Sequence, residues 1–258
     1  MVMKLIEKKE SELAELQISF SHAVTRAAHG LTLVEKRIVA MFIAKFNNSK
    51  HRKAFGRVIP LQDATIKITA KEYSETFDIP MNIAYRDLLA GTDKFFDRYW
   101  RVIQDTPKGK KEFKFNWLDG VVYHHGEGWV EATFGQHTIP HLVFNLKDQY
   151  TKYKLKSTMT LTSAYAWRLW ELMAQFANTK KPPEEERLIR ISLKDFRYAM
   201  EAPESYRYKD IRVRIIEPSI EQIRSQNDIS VTWRAIKKGR SVDSLEFKFK
   251  PCDQLNLF

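Results

Sequence analysis

Between Glu204 and Gln226 the sequence reads ESYRYKDIRVRIIEPSIEQIRSQ, and its front half concentrates side chains that can bind nucleobases and phosphates. Ser205, Tyr206, Arg207, Lys209, Arg212 and Arg214 make up this set. Arginine forks onto a guanine edge or a phosphate and lysine donates as a point charge; a helix carrying both can enter the major groove near its N-terminus. With Tyr208, Ile211 and Ile215 as the packing stripe, helical spacing sets Tyr206, Lys209 and Val213 roughly opposite, with Arg207 and Arg212 on the flanks. Tyr206 and Lys209 are then the candidates for base edges, and the arginines for bases or phosphates. The competing reading is an amphipathic core helix whose charged side is merely solvated.

Such a helix needs a frame. A shorter helical segment, ISLKDFRYAM (191–200), precedes it and ends before Ala202-Pro203, the layout of a helix-turn-helix. Behind it, Ile229, Val231 and Trp233 alternate on one arm, and Leu245, Phe247 and Phe249 on another. Period two on both arms predicts a half-buried hairpin. Gly239 supplies its turn, and Lys237, Lys238 and Arg240 sit at its tip. A hairpin after a helix-turn-helix is a wing, and a basic tip suits phosphate or the minor groove. Pro218 lacks an N–H and is expected to bend or interrupt the helix after Glu217.

The same plan occurs twice. LTSAYAWRLWELMAQFANTK (161–180) aligns with LTLVEKRIVAMFIAKFNNSK (31–50) at an offset of 130, and ISLKDFRYAMEAPESYRYKDI (191–211) with ITAKEYSETFDIPMNIAYRDL (68–88) at an offset of 123. Lys108-Gly109-Lys110 followed by EFKF (112–115) answers Lys238-Gly239-Arg240 followed by EFKF (246–249). The predicted class is α+β, two tandem winged-helix domains related by internal duplication. Residues 1–19 read as an arm, 20–150 and 151–250 as the two domains, and 251–258 as a tail.

In the first copy Thr32 and Thr69 are candidate helix caps, and a second helix runs from Met81. Asn82, Tyr85 and Arg86 occupy the matching helix, with Lys108, Lys110 and Lys111 at its expected wing. Asn82 either reads adenine bidentately or caps the helix. Strands are expected over 99–105, 111–117, 121–123 and 129–134, and a helix from about Ile139 to Leu155. This copy is poorer in positive charge, so the second is expected to do most of the base reading.

Composition agrees with an acidic polymer partner: 258 residues carry 43 Lys and Arg against 32 Asp and Glu, a net charge of +11. The single cysteine, Cys252, excludes an internal disulfide and a thiolate metal cluster. No window approaches 18 apolar residues and the N-terminal segment lacks a signal-peptide core, which reads as a cytoplasmic protein without a membrane partner. Enzyme chemistry finds no footing. His124 and His125 are adjacent on an expected strand and face opposite sides, while Pro140 breaks the His137–His141 helical pair. No Gly-rich phosphate loop or Ser/His/Asp spacing stands out. Catalytic residues, metal and cofactor are all expected to be absent.

From LTSAYAWRLWELMAQF through ESYRYKDIRVRIIEPSIEQI and IKKGR to EFKFK, the second half resembles the iteron-binding replication initiators of theta-replicating bacterial plasmids. The first half, from LTLVEKRIVAMFIAKF through YTKYKL, is similar to that family's N-terminal module. The resemblance implies monomers that bind double-stranded origin repeats (iterons), help open the adjacent duplex, and are joined by the host initiator and replicative helicase. It also implies a homodimer in equilibrium with the monomer, formed through the N-terminal module and repressing its own gene. Separately, Gln254, Leu255, Leu257 and Phe258 resemble the QLxLF peptide that docks on the replicative sliding clamp. The alternative is that these apolar residues tuck back onto the second domain. Two other functions stay open at this point: a double winged-helix transcriptional repressor, and a rolling-circle nicking enzyme, for which the adjacent histidines do not fit the metal motif.

Overall fold

The structure, a computed structural model, describes residues 12–49, 64–143, 150–177, 185–227 and 229–250. Its elements follow the duplication. The first module opens with β1 (Gln17–Ser21), α1 (His22–Arg26) and α2 (Leu33–Asn47), then β2 (Thr65–Thr69), α3 (Ala70–Phe77) and α4 (Met81–Phe96). Two hairpins follow: β3 (Tyr99–Thr106) with β4 (Gly109–Asn116), and β5 (Leu118–His124) with β6 (Trp129–Phe134). After a short α5 (Ile139–Val143) come β7 (Tyr150–Lys154), α6 (Lys156–Met159) and α7 (Ala164–Ala177), and the second helix-turn-helix opens with β8 (Arg187–Ser192) and α8 (Leu193–Met200). Its recognition helix is built from α9 (Tyr208–Ile211), a π-helical turn (Arg212–Ile216) and α10 (Glu217–Asn227), and β9 (Val231–Lys238) and β10 (Ser241–Phe249) close it.

Local chemistry sets the helix starts. Thr32 Oγ1 accepts from the Glu35 N–H while the Glu35 carboxylate accepts from the Thr32 N–H, a capping box that Thr69 and Glu72 repeat on α3. Ser192 caps α8 by accepting from the Asp195 N–H at 3.0 Å. Helix α8 lies at the α3 positions plus 123, so the two helix-turn-helix leads superpose residue for residue in sequence.

Sheet order settles which strands correspond. The first module has β2-β6-β5 and the second β8-β10-β9, all antiparallel. The wing of the first module is therefore β5–β6, with its turn at His125–Gly128, and not the β3–β4 hairpin expected from the KGK and EFKF match. That hairpin forms a separate two-stranded sheet without a counterpart in the second module. The EFKF of β4 and that of β10 both follow a basic turn with period two, and period two alone does not say which strand each one joins.

Two further expectations are corrected. Residues 150–154, expected as the end of a helix from Ile139, form β7, with Thr151 and Tyr153 buried between half-exposed Tyr150, Lys152 and Lys154. This alternation is a strand's, and β7 pairs with β1 in the register Gln17↔Lys154 to Ser21↔Tyr150. Consequently Gln17–Ser21, whose first three residues were expected to belong to an N-terminal arm, is an internal strand with Ile18 and Phe20 fully covered. β1 and β7 form a two-stranded sheet of their own.

The core is continuous through both. Trp167, Trp170, Leu169 and Met173 bury the α7 side, and Ile38, Met41, Phe42 and Phe46 the α2 side. Between them lies a buried ion pair, Lys36 Nζ to Glu171 Oε2 at 2.5 Å, with Tyr153 Oη donating to Glu171 Oε1 at 3.1 Å. Burial pulls the Lys36 ammonium below its ordinary pKa, against the opposing pull of Glu171. Removing one partner of such a pair leaves an uncompensated charge in the interior.

Candidate nucleic-acid interface

The recognition helix begins later than its sequence suggests. Glu204–Arg207 forms a turn, helix geometry starts at Tyr208, and the Asp210 carboxylate accepts from the Arg207 N–H at 3.0 Å. Ser205, Tyr206 and Arg207 thus precede the helix instead of riding on it. In the first module α4 starts directly after Pro80, the residue matching Pro203, so the second module holds an extra turn there. Ile211 and Ile215 are fully buried, as the packing stripe required, while Lys209, Arg212, Val213 and Arg214 are exposed.

Pro218 does not end the helix. The backbone widens into the π turn just ahead of it, where the Glu217 N–H bonds to the Arg212 carbonyl five residues back. Widening relieves the clash of the proline ring with the carbonyl four residues earlier, and the helix continues to Asn227.

Around the helix front the cations divide into two groups. The Arg214 guanidinium lies 5.3 Å from the Tyr206 ring centroid and 3.6 Å from Asp210, and Arg212 lies 3.5 Å from Glu217. The Arg197 guanidinium donates to the Tyr206 carbonyl and fixes the turn. Arg207 and Lys209 are exposed and have no ion-pair partner among the described residues. The same holds for Lys237, Lys238 and Arg240 on the wing, where Ser241 pairs with Lys238 across a two-residue loop. Gly239 leads that loop at φ 64°, a conformation that favours glycine.

Behind the tip, Arg190 on β8 and Arg234 on β9 face Glu246 on β10 from both sides, at 2.8 and 2.6 Å. The hydrogen bond from Arg234, then that from Arg190, holds the Glu246 carboxyl down to about 2. Two exposed guanidiniums thus share one covered carboxylate. Sequence reasoning passed over both arginines, although Arg190 alternates with buried Ile189 and could have been placed on the solvent face.

The first module looks different at equivalent places. Pro80, and not Asn82, occupies the cap position of α4, so Asn82 is an exposed first-turn residue. Tyr85 Oη donates to the His125 carbonyl and ties the helix to its own wing turn. Arg86 donates to Asp87 Oδ1 at 3.0 Å. Lys108, Lys110 and Lys111 are exposed at the tip of the separate β3–β4 hairpin, with Lys111 Nζ 4.8 Å from the Phe113 ring. Gln254, Leu255, Leu257 and Phe258 lie outside the described residues. Among the described residues no group of three His, Cys, Asp or Glu could hold a metal ion, and no helix is long and apolar enough to cross a membrane.

Fold and surface together define a tandem winged-helix protein whose second recognition helix and wing present exposed positive charge. Comparison with known proteins carries this to a family. The family model "Initiator Replication protein, WH1" matches residues 17–174, and "Initiator Rep protein, WH2" matches residues 192–249. The chain belongs to this family of replication initiator proteins. It is similar to an uncharacterised 27.6 kDa protein of Escherichia coli, 21% identical over 254 residues that cover 96% of this chain and 99% of the relative. Among solved structures it is similar in fold to the Pi initiator protein, crystallised in complex with iteron DNA, with a TM-score of 0.71 and 19% identity over 93% of this chain and 99% of that one.

Proposed function

We propose that this chain initiates plasmid replication by binding direct repeats of its origin sequence-specifically as a monomer, with both winged helices on one duplex. The observation that carries the reading is the set of exposed cations without an ion-pair partner among the described residues at the second helix front and wing tip: Arg207, Lys209, Lys237, Lys238 and Arg240. Family membership and the likeness in fold to an initiator crystallised with iteron DNA support it. In this reading Lys209 and Tyr206 approach base edges, Arg207, Arg212 and Arg214 bases or phosphates, and the wing tip phosphates. Asn82, Arg86 and the lysines at 108, 110 and 111 add contacts from the first module. The protein works in the cytoplasm without a catalytic step of its own. Bound monomers promote opening of the adjacent duplex and recruit the host initiator and helicase, Gln254–Phe258 docks on the sliding clamp, and dimers repress the gene.

Fluorescence anisotropy with duplexes of the origin repeats tests the core of this reading. Binding to the repeat should exceed binding to scrambled DNA of equal length by about 10³-fold or more at physiological salt. Equal affinity for both would reject sequence-specific binding, and preference for an inverted repeat over the gene's promoter would favour a plain repressor.

A further inference from the structure

Helix α8 ends at Glu201, a non-glycine residue in the left-handed region at φ 52°. From there its carboxylate crosses to the first module. One oxygen, Oε1, accepts from the His29 N–H at 2.5 Å and from the Gly30 N–H at 2.7 Å. Two successive backbone N–H groups converging on one oxygen make a small anion nest, and Gly30 takes the positive φ (62°) at its second position. Neighbouring contacts point the same way. Tyr198 Oη donates to the Arg101 carbonyl at 2.9 Å, and the buried Arg168 guanidinium donates to both the Ala27 and the Ala199 carbonyls.

Each of these bonds ends on a backbone atom, which cannot move away by a change of rotamer. The end of α8 leads into the turn that carries Tyr206 and Arg207. The second recognition helix is therefore referenced directly to residues 27–30 and 101 of the first module. At the matching place in the first module, Asp78 has the same φ of 52° and is exposed, with a side chain one methylene shorter.

We infer that Glu201 is a positioning residue that sets the spacing between the two DNA-reading modules, and with it the discrimination against repeats of altered internal spacing. This rests on the reading that both modules bind one duplex. One inserted base pair moves the two halves of a site apart by about 3.4 Å and turns them by roughly 35°. A locked pair of modules cannot follow that change, and a hinged pair can.

The test uses the full chain, a repeat, the same repeat with one base pair inserted between its halves, and a half-repeat for the second module. The wild type should bind the inserted repeat about tenfold or more weakly. Glu201→Ala should keep its half-repeat affinity and bind the two full probes alike. Glu201→Gln retains a carbonyl that accepts from both N–H groups, so it should restore discrimination. A Glu201→Ala protein that discriminates as the wild type does would overturn the inference.

A second measurement needs no DNA. Spin labels at Glu127→Cys and Thr232→Cys, in a Cys252→Ser background, report the distance between the modules. Glu201→Ala should broaden that distribution, and an unchanged one would overturn the lock. Where Glu201→Ala fails to fold, Gly30→Ala strains the same nest from the other side, and the same two outcomes decide. If the wild type binds no repeat, the DNA reading fails while the distance measurement still judges the lock.

Discussion

In the second module Arg207 and Lys209 stand at the front of the recognition helix without an ion-pair partner among the described residues, whereas in the first Arg86 is held by Asp87 and Tyr85 donates its hydroxyl to the adjacent wing turn. The wing tips differ in the same sense. Lys237, Lys238 and Arg240 crowd the second, while the first carries His125, Gly126, Glu127 and Gly128, with Glu127 accepting from Trp129 Nε1 at 2.7 Å. One backbone plan thus serves two uses. At these places the first copy bonds Tyr85 and Arg86 within its own fold, and the second leaves Arg207 and Lys209 without an ion-pair partner among the described residues.

The difference can be broken or sharpened experimentally. The largest effect should come from the buried ion pair between α2 and α7. Lys36→Ala leaves Glu171 buried without its counter-ion and should cost about 3–5 kcal/mol of folding stability, read by urea denaturation. A loss below about 1 kcal/mol would mean that water or Tyr153 satisfies the carboxylate instead.

Next, neutralising Lys237, Lys238 and Arg240 together should reduce the slope of log affinity against log salt by up to about 2.7. The matching triple at Lys108, Lys110 and Lys111 should reduce it less, because that hairpin is not the wing of its module. Equal reductions would erase the contrast between the two. On the helices, Lys209→Ala should cost about 1–3 kcal/mol on the cognate repeat, and Asn82→Ala less.

A smaller effect concerns the sheet behind the second wing. Glu246 has a folded pKa of about 2, below its ordinary 4.5, so its stabilising contribution is complete above the ordinary value and disappears as pH falls towards 2. Glu246→Gln should therefore flatten acid unfolding in that window and leave stability differences constant above it. An unaltered acid limb would show that Arg190 and Arg234 are not bonded to it in solution.

How much of this was legible depended on how local each signal was. Thr32 and Thr69 announced two helix starts from a single residue each, and the alternation of Leu245, Phe247 and Phe249 announced β10. Signals that depend on a distant partner were misread. The EFKF of β4 and that of β10 have the same period, and only sheet order separates them. Tyr150–Lys154 is a strand because Gln17–Ser21 lies beside it, 133 residues earlier by the Gln17–Tyr150 separation. The contact of Glu201 with His29 and Gly30 spans 172 and 171 residues and left no mark in the sequence beyond its alignment with Asp78.

The division of labour is tested most directly by binding Lys209→Ala and Asn82→Ala proteins to a complete panel of single-base-pair variants of the repeat. Lys209→Ala should lose discrimination at one or two adjacent base pairs and keep it elsewhere, while Asn82→Ala leaves the profile nearly intact. Uniform weakening by Lys209→Ala, together with position-specific relaxation by Asn82→Ala, would contradict base reading by the second module and assign it to the first.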